Sequence, residues 1–133
     1  MTYSPGEALS AHLNAWKNHG QGVEFDFLHP NVVYEFPFDP NPEGRRFEGK
    51  ATVIDFIRRV SVGAKDWCFS KEQIWPMADD TIALAEWCGH ALSSAMSKPY
   101  NQHYLATIQV QDGRIIHYRE FWNPDNLREA FKL

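Results

Sequence analysis

The chain has 133 residues, of which 14% are aromatic and 23% charged, and its formal net charge is −4 at pH 7. This length fits a single domain over residues 1–133 with one hydrophobic core. The acidic balance disfavours a nucleic-acid-binding surface, and no apolar run approaches the roughly 18 residues of a membrane span. The first residues, MTYSPGEALS, lack a secretory signal pattern, so we expect a cytoplasmic protein.

The N-terminal segment predicts a helix that begins at a capping box and ends near Gly20. Ser4 can cap this helix, Pro5 suits its first turn, and Glu7 can bond back to the cap residue. His12 lies at the edge of the apolar stripe, where it is either a packed histidine or a catalyst. The stripe itself consists of Leu9, Leu13 and Trp16.

The next part of the chain predicts a short helix over 23–28, a strand over 31–38 and a polar, Pro-rich loop over 39–46. The loop is a candidate mouth or lid for a pocket, because flexible surface loops commonly control access to sites. A second long helix should begin after Gly49 and end at Gly63. Its predicted buried stripe is formed by Val53, Phe56, Ile57 and Val60.

Four long strands should follow, over 67–75, 81–92, 100–110 and 115–122. The last two form a hairpin, because Asp112-Gly113 tolerates the positive φ that tight turns need. A final helix should begin at Pro124 with Asn123 as its cap. Helices followed by a run of antiparallel strands predict an α+β fold.

Alternation along the last strand suggests an unusual environment for one carboxylate. Successive side chains point to opposite faces, which places Glu120 between Tyr118 and Trp122, with Ile116 on the same face. The other face would carry Ile115, His117, Arg119 and Phe121. Glu120 is then either paired with Arg45, Arg46 or another cation, or its pKa is raised by desolvation. A raised pKa is how proteins obtain a general acid or base that works near neutral pH.

Neither the cysteines nor the histidines indicate a metal or cofactor site. Cys68 and Cys88 fit no metal-ligand spacing, and we expect both to be free core thiols. The histidines form no HxH, HxxxH or HExxH pattern, and no nucleotide-binding loop or nucleophile motif is present. We therefore expect no metal and no cofactor. Glu86, Cys88 and His90 share one face of their strand, where they could relay protons or simply face water.

Several segments together carry a family resemblance across essentially the whole chain. They are FEGKATVIDFI, KDW at 65–67, AEWCG, and PYNQHYLATIQVQDGRIIHYREFWNP. In this order they resemble the nuclear-transport-factor-2-like (NTF2-like) superfamily, in its SnoaL-like branch, and the closing R-E-F-x-N-P is most similar to the phenazine-biosynthesis protein A/B group. The resemblance implies a cone-shaped, cystatin-like fold over a deep pocket. Its curved, mixed but mainly antiparallel sheet carries three helices from the N-terminal half and a short C-terminal helix.

The resemblance transfers one site residue and not the others. The motif glutamate of the phenazine group is a pocket acid/base and corresponds to Glu120. The histidine and serine on that group's helix correspond to Phe56 and Val60 here, which are apolar. The catalytic aspartate of the ketosteroid isomerase group corresponds to Phe36. The isomerase constellation is therefore absent.

The same pattern orients strand 100–110. It places Gln102 and Tyr104 inside the pocket, where Tyr104 is either a donor to a substrate oxygen or a core tyrosine with a satisfied hydroxyl. His103 and His117 would then face outward. Apolar groups on both faces of the last two strands predict a homodimer through the outer sheet face.

Three functions remain open from the sequence. The first is a cofactor-free enzyme in which Glu120 moves a proton during isomerisation, cyclisation or condensation of a flat organic molecule. The second is a homodimer that binds a hydrophobic or aromatic ligand without chemistry, and the third is a protein-interaction domain. In the first two, the pocket walls would be formed by Trp16, Tyr34, Phe36, Phe56, Val60, Tyr104, Tyr118 and Trp122.

Overall fold

The structure, a computed structural model, describes residues 2–131. Its helices are α1 (Pro5–Lys17), α2 (Lys50–Val60) and α3 (Pro124–Phe131), and short 3-10 turns occupy Pro42–Gly44 and Ser61–Gly63. Its strands are β1 (Leu28–Glu35), β2 (Arg46–Glu48), β3 (Ala64–Pro76), β4 (Ile82–Ser93), β5 (Pro99–Gln111) and β6 (Arg114–Phe121). No helix within these residues is both long enough and apolar enough to cross a bilayer.

The strands form one six-stranded sheet in the order β2-β1-β6-β5-β4-β3. β1 and β6 run parallel, and every other neighbouring pair is antiparallel. The parallel pair arises because α2 and four strands, β2 to β5, separate β1 from β6 along the chain, and β6 then pairs with β1. The predicted α+β class with a mixed, mainly antiparallel sheet is confirmed.

The helix ends follow from local sequence. Ser4 Oγ accepts a hydrogen bond from the Glu7 backbone N–H at 3.2 Å, and the Glu7 carboxylate accepts one from the Ser4 N–H at 3.0 Å. This reciprocal capping confirms the predicted start of α1. Asn123 Oδ1 likewise accepts from the Asp125 N–H at 2.9 Å at the start of α3. Both caps satisfy backbone donors that a helix start leaves free.

The first two helices and one face of the sheet enclose the main hydrophobic core. The core joins Leu9 and Leu13 of α1 to Val53 and Ile57 of α2, over inward-facing residues of the central strands. A smaller cluster at one end of the sheet packs α3 against Trp67. The helices therefore cover one sheet face, and the space between them and the sheet is where a pocket can form.

Several local predictions are wrong, including the bounds of the first strand, which runs over Leu28–Glu35, and the burial of Val60, which is exposed. The segment 23–28 forms no helix, since it is irregular and turns into β1 at Leu28. The polar loop over 39–46 is partly ordered, because it contains a 3-10 turn and runs into β2, which pairs with β1. Cys68 and Cys88 are free, as expected, but neither lies in the core, since Cys68 is exposed and Cys88 half-buried.

A β-bulge at Ile116 changes which residues of β6 face inward. Val110 pairs with Ile115 and Gln109 pairs with His117, so one extra residue lies between the two pairs. The bulge places Ile115 in the core with Tyr118, whereas strict alternation had put them on opposite faces. Beyond the bulge the alternation resumes, and Tyr118 and Glu120 share the inner face as predicted.

The two longest inner strands alternate cleanly. On β5 the buried residues include Gln102 and Tyr104, which confirms that these two side chains face inward. On β4 the inner face carries Trp87, and Gly89 lies beside it. A Cβ on Gly89 would lie 2.7 Å from Tyr104 Cε2 and 3.2 Å from Phe69 Cε1, so glycine lets both rings approach the strand.

The outer sheet face carries histidine–carboxylate pairs. His103 Nε2 lies 2.7 Å from Glu86 Oε2, and His117 Nε2 lies 2.5 Å from Glu35 Oε1. His90 contacts the Asn101 side chain at 2.8 Å on the same outward side. The relay considered for Glu86 and His90 therefore lies across the sheet from the core, where these side chains face solvent.

Candidate functional site

A cavity between the helices and the inner sheet face divides into two adjoining compartments. The inner one has a volume of about 30 Å³, enough for about one water molecule. The outer one has a volume of about 170 Å³, comparable to cavities that hold a small aromatic ring. Four residues line both compartments and so mark their junction: Trp16, Phe36, Tyr104 and Glu120.

Glu120 is the acidic group at this junction. β6 presents it inward two residues beyond Tyr118, and the Tyr118 hydroxyl donates to Glu120 Oε1 at 2.5 Å. No ion pair reaches Glu120 among residues 2–131. Arg45 Nε instead donates to the Asp39 carbonyl, and Arg46 pairs with Glu35 and Glu48. The salt-bridge alternative for Glu120 is therefore not what the structure shows.

Burial controls the protonation of this carboxyl. Desolvation raises the pKa of Glu120 from 4.5 to about 7, because a charged carboxylate loses its water in this environment. Hydrogen bonds from Tyr118 and Trp122 favour the charged form and offset only part of the rise in pKa. Glu120 is nevertheless half-buried rather than closed off, since it lines the cavity. A carboxyl with this pKa can both accept and donate a proton near neutral pH.

A layer of aromatic and imidazole rings supports Glu120 from behind. Tyr118 stacks on Tyr34 with ring centroids 4.5 Å apart, and His12 lies 4.6 Å from the Tyr118 ring. His12 Nδ1 is hydrogen-bonded to the Tyr34 hydroxyl at 2.8 Å. Burial lowers the pKa of His12 from 6.5 to about 3, so this imidazole is neutral at physiological pH. His12 is the packed histidine of the two alternatives, yet it also lines the inner compartment.

Helix α3 closes the outer compartment. Leu127 and Phe131 of this helix line the compartment together with Glu120. Gln102 holds the start of α3, because its side chain donates to the Asn123 carbonyl at 3.0 Å and accepts from the Asn123 N–H at 3.1 Å. Gln102 also accepts from the Asn126 side chain at 3.2 Å. Gln102, which was predicted to lie inside the pocket, therefore fixes the start of α3 through these three hydrogen bonds.

The structure places most predicted pocket residues at the cavity and two behind it. The residues that line it, besides Glu120, are Trp16, Phe36, Phe56, Val60, Tyr104 and Trp122. Tyr34 and Tyr118 are fully buried and line neither compartment, so they do not form pocket walls as predicted. They form the layer that carries Glu120 and His12.

Other lining residues were not predicted. The walls also include Asp39, Trp67, Phe69, Trp87, Tyr100, Leu127 and Phe131. Trp87 and Gly89 are two residues apart on β4 and so share a face of the sheet. Knowing that Gly89 lies on the inner face would therefore have placed Trp87 there as well. Its buried indole N–H has no hydrogen-bond partner within residues 2–131. Trp87 itself lines the inner compartment together with Glu120.

No group of three or more potential metal ligands comes together in the described part of the chain. The cavity walls offer instead one titratable carboxyl, tyrosine hydroxyls and aromatic faces. Burial also raises the pKa of Tyr104 well above its ordinary value, so its hydroxyl stays protonated. This hydroxyl donates to the Tyr100 hydroxyl, and donation to a ligand would replace that bond. Chemically, this set can exchange a proton with a bound molecule and donate a hydrogen bond to its oxygen.

The Tyr118→Phe variant is expected to raise the pKa of Glu120 above its wild-type value. The tyrosine hydroxyl stabilises the charged carboxylate, so its removal favours the neutral acid. Carboxyl-selective 13C NMR titration of the variant and the wild-type protein measures this directly. Tyr3→Phe, which removes the Tyr3–Asp26 hydrogen bond outside the cavity, is a matched control and should leave Glu120 unchanged. An unchanged Glu120 titration in Tyr118→Phe contradicts the expected role of this hydrogen bond.

Comparisons with known proteins agree with this architecture. The family model described as the SnoaL-like domain matches residues 9–118. YesE of Bacillus subtilis is 37% identical over 103 residues, which cover 76% of this chain and 69% of YesE. A PhzA/B-like protein of Pseudomonas aeruginosa is 32% identical over 109 residues, which cover 79% of this chain and 74% of that protein. The crystal structure of a Bacillus subtilis protein provisionally described as an isomerase matches with a TM-score of 0.87 at 29% identity, covering 96% of this chain and 92% of that one.

The family match covers most of the elements that build the cavity, but not the end of β6 or α3. It begins within α1 and ends at Tyr118 in β6, two residues before Glu120. The expected NTF2-like fold and the phenazine A/B-like resemblance are both confirmed by these matches. The chain therefore belongs to the SnoaL-like domain family.

Proposed function

We propose that this protein is a cofactor-free acid/base enzyme that moves a proton on a small, flat carbonyl compound, in an isomerisation, cyclisation or condensation. The observation that carries the proposal is Glu120, a carboxyl with a pKa of about 7 at the junction of an aromatic cavity. Titratable groups tuned to neutral pH inside clefts are typical of catalytic sites. Structural neighbours provisionally described as polyketide cyclases and an isomerase are consistent with such chemistry on this fold.

The proposed reaction begins with ionised Glu120 as a general base. It removes a proton from the carbon next to the carbonyl, leaving an enolate and a neutral carboxylic acid. Tyr104 lines both compartments with Glu120 and would donate a hydrogen bond to the developing oxyanion. The neutral acid then returns the proton to the same carbon or to another one. Walls formed by Trp16 and Phe36 would hold the ring flat during this transfer.

Exchange of hydrogen for deuterium on cyclohexenone in D2O tests this step without knowledge of the natural substrate. If Glu120 removes the proton, the acid exchanges with solvent and returns a deuteron, which 1H NMR detects as loss of signal. We expect the wild-type protein to exceed Glu120→Gln by about 10²- to 10⁴-fold, the usual contribution of a positioned acid/base. The wild-type rate should rise with pH through about 7, as Glu120 ionises.

A matched control separates the cavity acid from general surface catalysis. Glu24 is exposed and lies outside the cavity, so Glu24→Gln should retain the full exchange rate. Equal rates in Glu120→Gln and the wild-type protein would overturn the proposal.

One observation favours a second function, the binding of a ligand without chemistry. The α2 residues that line the outer compartment, Phe56 and Val60, are apolar, so the helix contributes no polar group to the site. A storage or carrier protein would need only the aromatic walls. Tight binding of a ring compound by both the wild-type protein and Glu120→Gln, with no exchange in either, would establish this function.

The proposal includes a cytoplasmic homodimer that uses the outer face of the sheet. Leu105 is 39% exposed on that face, and Phe121 packs edge-on against the exposed Phe38 with centroids 5.3 Å apart. Apolar groups at the centre of a polar sheet face are typical of a self-association surface. Leu105→Arg is expected to convert dimer to monomer in size-exclusion chromatography with light scattering. Ala51→Arg, at an exposed position of α2 on the opposite side of the sheet, is the control, and a monomeric wild-type protein contradicts the prediction.

A further inference from the structure

The charged groups that line the cavity are all acidic. Glu120 lies at the junction, and Asp39 lies in the wall of the outer compartment. Within the described residues, no lysine or arginine lines either compartment. His12 is the remaining nitrogen base in the walls, and burial keeps it neutral. A bound molecule therefore encounters negative charge without a compensating cation.

Asp39 is held at this position by the loop that follows β1. Its Oδ1 accepts a hydrogen bond from the Asn41 backbone N–H at 2.9 Å, which fixes the carboxylate in the loop. Within the described residues Arg45 forms no ion pair with this carboxylate, and its Nε donates to the Asp39 carbonyl oxygen at 2.9 Å. Gly44 leaves the space that this carboxylate occupies, since a Cβ there would lie 2.5 Å from Asp39 Oδ2.

Aromatic rings make up much of the wall of the outer compartment that Glu120 and Asp39 also line. Trp16 meets Trp67 edge-on at 5.8 Å and meets Phe56 at 5.7 Å, so three rings form a corner of the outer compartment. The faces of such rings carry partial negative charge and attract cations. The rings and the carboxylates therefore favour the same sign of charge in a ligand.

We propose that the cavity selects molecules carrying a protonated amine on a small apolar or aromatic ring, and that it rejects carboxylates. A carboxylate placed here would lose water without gaining a cationic partner, which is costly in a buried site. An ammonium group would gain Glu120, Asp39 and the ring faces together. The inference rests on the proposed function for its use of Glu120, and it names the substrate class that the same site accepts.

The proposal has a definite consequence for pH dependence. The groups that face Glu120 are Tyr118 from β6, Tyr104 and Tyr100 from β5, and Tyr34 and His12 from β1 and α1. Their pKa values lie well away from neutrality, so Glu120 is the group among them that titrates near pH 7. An ammonium ligand should bind more tightly as pH rises through that value and the carboxylate forms. By linkage, the same ligand lowers the pKa of Glu120, and a carboxylate ligand raises it.

Three probes that differ in one group test the preference: benzylamine, benzyl alcohol and benzoate. Quenching of tryptophan fluorescence reports binding, because three of the lining residues are Trp16, Trp67 and Trp122. At about pH 8 we expect benzylamine to bind about tenfold more tightly than benzyl alcohol, the effect of one unit of pKa displacement, and benzoate to bind most weakly. At about pH 5.5, where Glu120 is neutral, the advantage of benzylamine should shrink several-fold.

Variants divide the effect between the two carboxylates. Glu120→Gln should lose both the pH dependence and most of the preference for the amine. Asp39→Asn should bind benzylamine more weakly than the wild-type protein does, with the same dependence on pH. The matched controls Glu24→Gln and Asp80→Asn alter exposed acids outside the cavity, and both should behave as the wild-type protein does.

Two results would overturn the inference. One is benzoate binding as tightly as benzylamine at about pH 8, and the other is a preference for benzylamine that survives in both cavity variants. Neither result bears on proton transfer, since cyclohexenone is uncharged and its exchange by Glu120 is measured separately. Conversely, failure of the exchange assay leaves the charge preference to be decided by these binding constants.

Discussion

The Glu120→Gln variant is expected to gain stability over the wild-type protein as pH rises, by about 3 kcal/mol between about pH 4 and pH 8.5. In the folded protein the pKa of Glu120 is about 7, against 4.5 for the ordinary side chain. The folded state therefore holds a proton that the unfolded state releases between these values. This contribution to stability is complete below pH 4.5 and is lost as pH rises through 7, whereas the Gln side chain stays neutral throughout.

Urea unfolding of both proteins across this pH range measures the difference in the free energy of unfolding. Glu24→Gln, which changes an exposed acid, is the control and should follow the wild-type curve. A difference between Glu120→Gln and the wild-type protein that stays constant with pH would mean that Glu120 titrates as a solvated carboxyl. The catalytic proposal would then lose the property on which it depends.

Glu120→Gln should therefore be more stable than the wild-type protein at about pH 8 and should catalyse proton exchange more slowly. The wild-type protein loses stability when it ionises a buried acid, and that ionised acid is the proposed base. Replacing it with an amide removes the cost of ionisation and the chemistry together. Such a trade-off is common where a site needs a group that its surroundings disfavour. A purely structural carboxyl, paired with a cation, would instead lower stability when replaced.

The position of Glu120 could be predicted from the sequence because both ends of β6 are marked. The Asp112-Gly113 turn fixes where the strand begins, and the Asn123 cap fixes where it ends. Period-two alternation then determines the inward face near the C-terminal end. It fails at Ile115, because the bulge at Ile116 depends on pairing with β5 and not on any local signal.

The rest of the site depends on packing between distant elements. His12 reaches the inner compartment because α1 lies across the sheet, and a stripe of apolar residues does not specify that crossing. Leu127 and Phe131 line the outer compartment because the Gln102 clamp fixes α3 over it. Tyr34 and Tyr118 were predicted as walls because they share faces with wall residues. The parallel pairing of β1 with β6 stacks their rings together and buries them.

Stability at acid pH is expected to depend on His12. In the folded protein its pKa is about 3, against an ordinary value of 6.5. Between these pH values His12 is therefore protonated in the unfolded state and neutral in the folded state. The contribution of His12 is complete above pH 6.5 and is lost as pH falls through 3, which amounts to about 5 kcal/mol. A loss of that size is comparable to the total stability of many small domains.

His12→Asn isolates this effect, because an amide can keep a hydrogen bond to the Tyr34 hydroxyl without titrating. Relative to its own value at about pH 8, the variant should lose about 4 kcal/mol less than the wild-type protein on acidification to about pH 3, where folded His12 is half-protonated. Urea unfolding at each pH gives the comparison. The control is His90→Asn, which replaces an exposed histidine on the outer sheet face and should leave the acid limb unchanged.

His12 and Glu120 line the same inner compartment and titrate with opposite effects on stability. Between about pH 4.5 and pH 6.5 the folded state keeps one extra proton on Glu120 and lacks one on His12, so the two slopes cancel. In this window these two groups together should leave the free energy of unfolding of the wild-type protein independent of pH. Glu120→Gln should expose a stability that rises with pH there, and His12→Asn should expose one that falls. If the free energy of unfolding of both variants is independent of pH in this window, neither group is buried, because a solvated side chain has nearly the same pKa in the folded and unfolded states.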